Sequence, residues 1–490
     1  MDVLYDIVVT INTYLSNYVL IILLVAMGLV FTIRTKFVQV RFFGEGMRRV
    51  FGEFNLFGGK KKSGISSFQA LATAVAAQVG TGNIVGACGA ILIGGPGAIF
   101  WMWLIAFLGM ATNYAEAVLA QKTREVDEDG TVHGGPVYYI TKAFTGAGGK
   151  FLAGFFAVSI ILALGFMGCM VQSNSIAATC NTAFGIPTWV MGLLIVFFAG
   201  LVFLGGVQRL ASVTEKLVPI MAVIYLIGGL VVLILNIQNL PGAFALIFQC
   251  AFNPQAEVGG VTFGIIAAIS QGAKRGLFSN EAGMGSTPHA HALADVKDPH
   301  HQGTVAMIGV FIDTFVVVTM TALVVISVLY VGGPLSVDAT GMVDGIDKTN
   351  MAQLAFGTFF GSTFGNSFVA ICLLMFAFST ILSWNLFAKL NVEYLFARFG
   401  KMPVKIFSVI ALIFIFLGSL LSNDLVWELA DMFNQLMVIP NAIALFALSG
   451  AVLAIANAKH DKRALDAAEE RLEDQERAAM NALVEEDKRK

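Results

Sequence analysis

The stretch AAQVGTGNIVGACGA, residues 76–90, decides the fold. Its flanks are apolar and helix-forming, yet its centre carries Gln78, Gly80, Thr81, Gly82 and Asn83. Glycine and short polar side chains weaken a helix. In hydrocarbon an unsatisfied backbone amide is so unfavourable that non-helical backbone survives only where it is buried in protein or lines a cavity. The pattern therefore invites a break, with Asn83 capping the helix that resumes. Free N–H groups at the new helix start attract an anion, and carbonyls ending the preceding half-helix suit a small hard cation. The alternative is close helix packing through small residues; the amides of Gln78 and Asn83 weigh toward a site.

The segment GIIAAISQGAKRGLFSNEAGMGS, residues 264–286, repeats the anomaly. It sets Ser270, Gln271, Gly272, Lys274, Arg275, Gly276 and Glu281 in one membrane-scale stretch. No continuous lipid-facing helix would hold them. Lys274 and Arg275 are expected toward a cytoplasmic gate.

Around these two segments the chain is membrane-like throughout. Of its 490 residues 57% are hydrophobic and 13% charged, against about 25% charged in soluble domains. Runs such as FWMWLIAFLGM and IILALGFMGCM are parts of spans of roughly 20 residues, the length a helix needs to cross the hydrocarbon. Eleven candidate spans lie near 18–33, 68–93, 98–121, 152–178, 187–206, 212–236, 258–285, 303–332, 366–397, 404–420 and 428–456. The two anomalous segments are the second and the seventh. If spans two to eleven form two five-span repeats, the odd number inverts the second repeat. Each repeat then begins with a broken helix, and two such helices meeting at the bilayer midplane are the layout of many secondary transporters.

The expected fold is an all-α integral membrane protein of about 11 transmembrane helices with a 5+5 inverted-repeat core in spans 2–11. Its expected divisions are an outside N-terminus and first helix at 1–33 and a basic cytoplasmic loop at 34–67. A first repeat at 68–236, an extracellular loop at 237–257, a second repeat at 258–456 and a charged cytoplasmic tail at 457–490 follow. The acidic flank MDVLYD argues against a cleavable signal peptide. Arg34, Lys36, Arg41, Arg48, Arg49 and Lys60 to Lys62 follow the first span and place that loop inside. Alternation across eleven spans then leaves Lys348 alone, of 30 Lys and Arg, on the outer side.

The ninth span adds Ser379, Thr380, Ser383 and Trp384, whose hydroxyls can complete a cation site with carbonyls of the first broken helix. Equally, Ser and Thr bond back to their own helix. The five cysteines are isolated, with no C-x-x-C, and read as apolar packing. The charged tail is a partner helix or a solvated one. The spans contain no nucleophile–base or paired-carboxylate set for an embedded enzyme. No phosphate-binding G-x-x-x-x-G-K motif appears for ATP-driven transport, and nothing suggests nucleic acid. A channel calls for rings of polar residues from an oligomer rather than two internal broken helices.

VGTGNIVG at 79–86, HGGPVYYI at 133–140, NEAGMGSTPHAHA at 280–292 and STILSWNLF at 379–387 together resemble the alanine or glycine:cation symporters, also called sodium:alanine symporters. The resemblance runs from about residue 15 to 456. It implies the leucine-transporter-type fold, a multi-pass location in the cell membrane, and import of a small neutral amino acid with sodium. It further implies that Thr81, Gly82 and Asn83 meet the substrate carboxylate and a nearby ion, and that Ser270, Gln271 and Gly272 cover its amino end. Thr380 and Trp384 line the pocket, and Phe166 and Met167 press on the side chain or simply pack. Sodium falls to the carbonyls of Ala76 and Val79 with Ser379 and Thr380. After the tryptophan, SWNLFAKLN departs from the pattern, which bears on substrate range: serine and glutamine stand beside alanine and glycine.

The residues also bear on the coupling ion. The six histidines fall in cytoplasmic loops or the tail, so a membrane proton relay is thin. The clustered histidines of PHAHALADVKDPHH lack the i, i+4 spacing of a metal site. Asp313 is the exception, either a proton carrier or the structural partner of a cation on another span. Glu116 is expected at the membrane interface.

Overall fold

Two interrupted helices form the centre, and the rest of the chain wraps them. The computed structural model describes residues 2–52, 64–253, 255–258, 261–331, 333–335, 345–421, 423–459 and 461–462. Lys60 to Lys62, most of the acidic loop before Lys348, His460 and the tail from 463 lie outside the described residues.

Eight helices are long and apolar enough to cross a membrane, and the bent pair Ser67–Gln78 and Gly82–Gly94 makes a ninth. Two further segments, Thr188–Phe203 and Ile265–Asn280, are helices of 16 residues each, the second continued after a break by Pro288–Ala292.

Segments five spans apart pack on one another: Ala98–Thr123 on Pro299–Val310, Cys169–Phe184 on Ser362–Leu395, and Thr188–Phe203 on Met402–Leu420. Ser67–Gln78 and Gly82–Gly86 likewise touch Ile265–Asn280. Two interleaved halves related by an in-plane twofold axis would pair their members in this way. Every residue of Ser67–Gln78 is buried, whereas Leu193, Phe197, Ile227, Ile234, Val409 and Ile413 on outer helices are half exposed or more. The polar break is thus at the core and the apolar surface is the rim, the reverse of a soluble protein.

Three expectations change. The first span is a longer helix, Tyr5–Arg34, because its N-terminal turns bury Val8, Asn12 and Ser16. Asn12 Nδ2 donates to Glu428 at 2.6 Å, and Ser16 bonds Gln435 on the last span. The expected loop at 237–257 is mostly helix, a 3-10 turn Ile237–Asn239 running into the helix Leu240–Phe252. A strand pair, Gln255–Val258 with Val261–Gly264, follows it, so the seventh span starts at Ile265 rather than 258. The basic loop after the first span contains the helix Phe43–Gly52.

Candidate functional site

The first half-helix, Ser67–Gln78, stops at Val79 (φ −81°, ψ 88°), and the chain resumes at Gly82 after a 47° bend. Gly80 and Gly82 are not in the left-handed region; closeness is what they supply. A Cβ on Gly82 would lie 3.0 Å from the Ser279 Cα and 3.2 Å from the Phe278 ring. One on Gly80 would strike the Thr380 hydroxyl.

The break frees carbonyls, and the ninth span meets them. Thr380 Oγ1 lies 2.8 Å from Ala76 O and 3.5 Å from Val79 O, and Ser379 Oγ is 3.5 Å from Ala76 O. Both hydroxyls also bond back to Phe376 O, at 2.8 and 3.1 Å, so both sequence alternatives coexist. Uncharged oxygens converge here, with the Ala77 carbonyl also 3.3 Å from Thr380 Oγ1 and the Met221 sulfur 3.6 Å from Ser379 Oγ, a mainly oxygen set suited to a hard cation.

The amides of the break are engaged by side-chain oxygens. Gly80 N donates to Asn83 Oδ1 at 2.8 Å, so Asn83 holds the break itself, while the helix that resumes has Thr81 at its N-cap and no side-chain cap. Thr81 N and Thr81 Oγ1 both donate to Gln172 Oε1, at 3.0 and 2.6 Å. Sequence reasoning missed Gln172, although QSNS at 172–175 is a polar run inside an apolar span. Its Oε1 makes the contacts that one oxygen of a bound carboxylate would make, while its Nε2 has no partner.

The second break falls elsewhere than expected. Ser270, Gln271 and Gly272 lie inside the continuous helix Ile265–Asn280. Ser270 Oγ donates to Asn17 at 2.6 Å, and Gly272 sits against Trp101 and the Ala98 carbonyl. The chain unwinds instead after Asn280, where Glu281 (φ +58°), Gly283 (φ +89°) and Gly285 (φ +82°) take left-handed backbone. Glycine takes that conformation without penalty, and its alternation in EAGMGS was the available signal. Glu116 satisfies the unwound amides, accepting from Gly283 N at 3.0 Å and Gly285 N at 2.9 Å. Asn441 Nδ2 ties the same carboxylate and Gly283 O at 2.7 and 2.9 Å. Glu116 is thus wholly buried inside the protein, because the break needs an acceptor.

The two breaks meet through Ser279, Asn280 and Asp313. Asp313 accepts from Asn83 Nδ2 at 2.6 Å, Ser279 Oγ at 2.9 Å and Thr314 Oγ1 at 2.8 Å. Gln78 Nε2 donates to Asn280 O at 2.7 Å. No ion pair reaches Asp313 among the described residues, so the expected cation on another span is replaced by neutral donors from both broken helices.

Trp384 packs edge-on to Phe278 with centroids 5.7 Å apart, and its Nε1 donates to Glu281 Oε1 at 2.5 Å. Phe166 faces away, toward Phe407 and Phe414 at 5.5 and 4.7 Å, and Met167 is half-buried at the core's edge. Ser383 is buried and its Oγ has no partner. Thr81, Asn83, Asp313, Ser379 and Thr380 are fully buried, so the site is sealed on both faces.

One seal corrects the expected position of Lys274 and Arg275. Arg275 meets Asp431 with two bonds of 3.2 and 3.0 Å, and Lys274 meets it at 2.8 Å. Arg275 and Lys348 both approach the Trp427 ring, at 4.8 and 4.9 Å. The pair therefore lies on the Lys348 side of the break, not on the side of His289 and Asp298. The histidines are equally unlike loop residues: His289, His291 and His300 are each about 1% exposed.

Two interrupted helices packed on one another at the centre of interleaved halves define a secondary transporter of the leucine-transporter fold. The crystal structure of MhsT in complex with L-phenylalanine shares that fold at TM-score 0.57 and 15% identity, over 81% of this chain and 93% of that one. The sodium:alanine symporter family matches residues 1–473, and the chain belongs to it. Among relatives, the sodium/alanine symporter AgcS of Methanococcus maripaludis is 39% identical over 93% of this chain and 97% of its own. The putative sodium/proton-dependent alanine carrier protein YrbD of Bacillus subtilis is 39% identical over 94% and 93%. The chain is a multi-pass membrane transporter, not an enzyme.

Proposed function

We propose that this protein imports a small neutral amino acid, alanine or glycine foremost, together with Na+. The observation that carries this is the approach of Thr380 Oγ1 to Ala76 O and Val79 O beside the Thr81 amide. Na+ binds the carbonyls of Ala76 and Val79 with the hydroxyls of Ser379 and Thr380. The substrate carboxylate takes the Thr81–Asn83 turn, displacing Gln172 Oε1 from the Thr81 amide. Its ammonium faces the second break, at Ser279 and Asn280 rather than at Ser270 to Gly272. Phe278 and Trp384 close the space around the side chain, and Phe166 acts only through the wall behind it.

Alternating access follows from the two seals. Opening on one face releases the Arg275–Asp431 and Lys274–Asp431 pairs, while opening on the other loosens the Glu116–Gly283–Gly285 knot. The N-terminus and the Lys348 face are assigned to the outside, the basic segment after Arg34 and the C-terminus to the cytoplasm.

A zwitterion moving with one Na+ carries net charge. One charge across 100 mV contributes about 2.3 kcal/mol, and a tenfold sodium gradient adds roughly 1.4 kcal/mol. Together they sustain a solute ratio of several hundredfold. Asp313 supports a second reading, coupling to a proton, since it is a buried carboxylate touching both broken helices. Uptake of radiolabelled alanine into proteoliposomes, with a sodium gradient or a proton gradient imposed separately, decides between them. Uptake driven by protons in the absence of sodium would overturn the sodium assignment.

A further inference from the structure

A second cavity, remote from the transport path, is built to hold an anion. It has a volume of about 500 Å3 and is walled by Glu45, Arg48, Arg49, His300, Lys459 and Lys462. The two carboxylates nearby are already taken: Glu45 contacts Arg49 directly, and Asp298 meets Lys459 at 2.6 Å. Arg48 and Lys462 make no ion pair among the described residues, so the cavity keeps a positive excess.

His300 sharpens the case. Its ring is about 1% exposed, and its Nδ1 is held by the Tyr114 hydroxyl at 2.7 Å. Its Nε2 faces Glu45 Oε1 at 3.6 Å, an ion-pair distance, but has no hydrogen-bond acceptor. Burying an unpartnered ring nitrogen is unfavourable, so a ligand acceptor in the cavity would satisfy it. His300 also stands in the first turn of Pro299–Val310, whose N-terminal end is capped by the Asp298 carboxylate at 3.0 Å from His300 N.

The surroundings are those of a membrane interface. The helix Phe43–Gly52 carries Arg48 and Arg49 beside Phe51, which is 64% exposed, and Val40 just before it is 58% exposed. Cationic and apolar residues side by side on a short helix at the end of a span suit the level of lipid headgroups. A soluble anion would have no use for the exposed apolar residues; a lipid uses both.

We propose that this cavity binds the phosphodiester headgroup of an anionic membrane lipid. Arg48 and Lys462 pair with the phosphate, His300 Nε2–H donates to one of its oxygens, and the acyl chains leave along Phe51 and Val40. The lipid then clamps three elements that end at this face: Phe43–Gly52, the segment after the last span, and Pro299–Val310, which leads directly to Asp313. Lipid occupancy would favour the conformation closed on this face.

The test is thermal unfolding of the full-length protein in detergent. Three additives are compared: dioleoylphosphatidylglycerol, dioleoylphosphatidylcholine and soluble glycerol 3-phosphate. The anionic lipid should raise the midpoint at concentrations where the other two do not. The double variant Arg48→Gln, Lys462→Gln should need roughly tenfold or more of that lipid for the same shift, given the attraction each basic residue contributes. Its sodium-dependent alanine binding should match wild type. Equal shifts with the two lipids would reduce the effect to acyl chains and overturn the proposal. A full shift with glycerol 3-phosphate would make this a soluble-anion site, and an undiminished response in the double variant would remove these residues from it. Should that variant fail to fold, the three-way comparison on wild type decides alone.

Discussion

Asn83 Nδ2 and Asp313 Oδ1 lie 2.6 Å apart, joining the first broken helix to the second half of the protein. The same carboxylate takes the Ser279 hydroxyl from the end of the other interrupted helix. One ionisable group therefore holds both moving elements, with neutral donors only. A buried carboxylate so placed is unfavourable unless neutralised or paired, and a passing cation or a proton does either.

Asp313→Asn should leave the sodium concentration for half-maximal alanine uptake near wild type, because Na+ is assigned to Ala76, Val79, Ser379 and Thr380. Lost uptake with an altered pH profile would make Asp313 the coupling residue. The measurement is uptake against sodium at fixed voltage, repeated at two pH values. A variant with lowered thermal stability but unchanged sodium and pH dependence would reduce Asp313 to scaffolding.

Thr380→Ala removes the hydroxyl that lies nearest the freed carbonyls. Sodium half-saturation should rise while alanine affinity at saturating sodium stays near wild type. Ser379→Ala should act in the same direction but less, since Ser379 Oγ stands at 3.5 Å from Ala76 O. A larger effect from Ser379 would reverse the assigned order of ligands.

Gly82→Ala forces a methyl against the Ser279 Cα, which is backbone and cannot rotate away. Overpacking of this kind destabilises by roughly 1–3 kcal/mol, here at the joint between the two breaks. Alanine binding measured by calorimetry should fall by about tenfold or more while the protein still inserts and purifies. Gly86→Ala is the control: its Cβ would meet only Thr81 O, at 3.8 Å, and binding should persist. Equal losses in the two variants would point to general helix disruption.

Asp431→Asn removes the carboxylate shared by Lys274 and Arg275, both less than a tenth exposed, stranding Arg275 and leaving Lys274 only Glu428 at 3.6 Å. Removing one partner of a buried pair costs about 3–5 kcal/mol, so the melting temperature should fall markedly. Access of a thiol reagent to a cysteine introduced at Ser279 should rise from the Lys348 face. If access rises only from the opposite face, this cluster is not the seal of that side.

Hydrophobic runs and their lengths specify spans through the physics of the bilayer alone, without any tertiary partner. The same holds for the break at 79–81, because Gln78, Gly80 and Asn83 contradict a lipid-facing helix locally. The meeting of Thr380 with Ala76 follows from that break plus the hydroxyls of the ninth span, and it too was legible. The position of the second break was not. SQGAKR looks as polar as NEAGMGS, and only the fold shows the first group facing Trp101, Asn17 and Asp431 within an intact helix. Polarity along a chain states that a residue needs a partner; it does not state where the partner is. Glu116 serving the amides of Gly283 and Gly285, Gln172 standing on Thr81, and Asp313 bound by Asn83 are long-range pairings of this kind. The sequence by itself determined the class and the place of the first break. The tertiary structure alone decided which buried polar groups answer one another, because satisfaction in a medium without water depends on what packs beside each group.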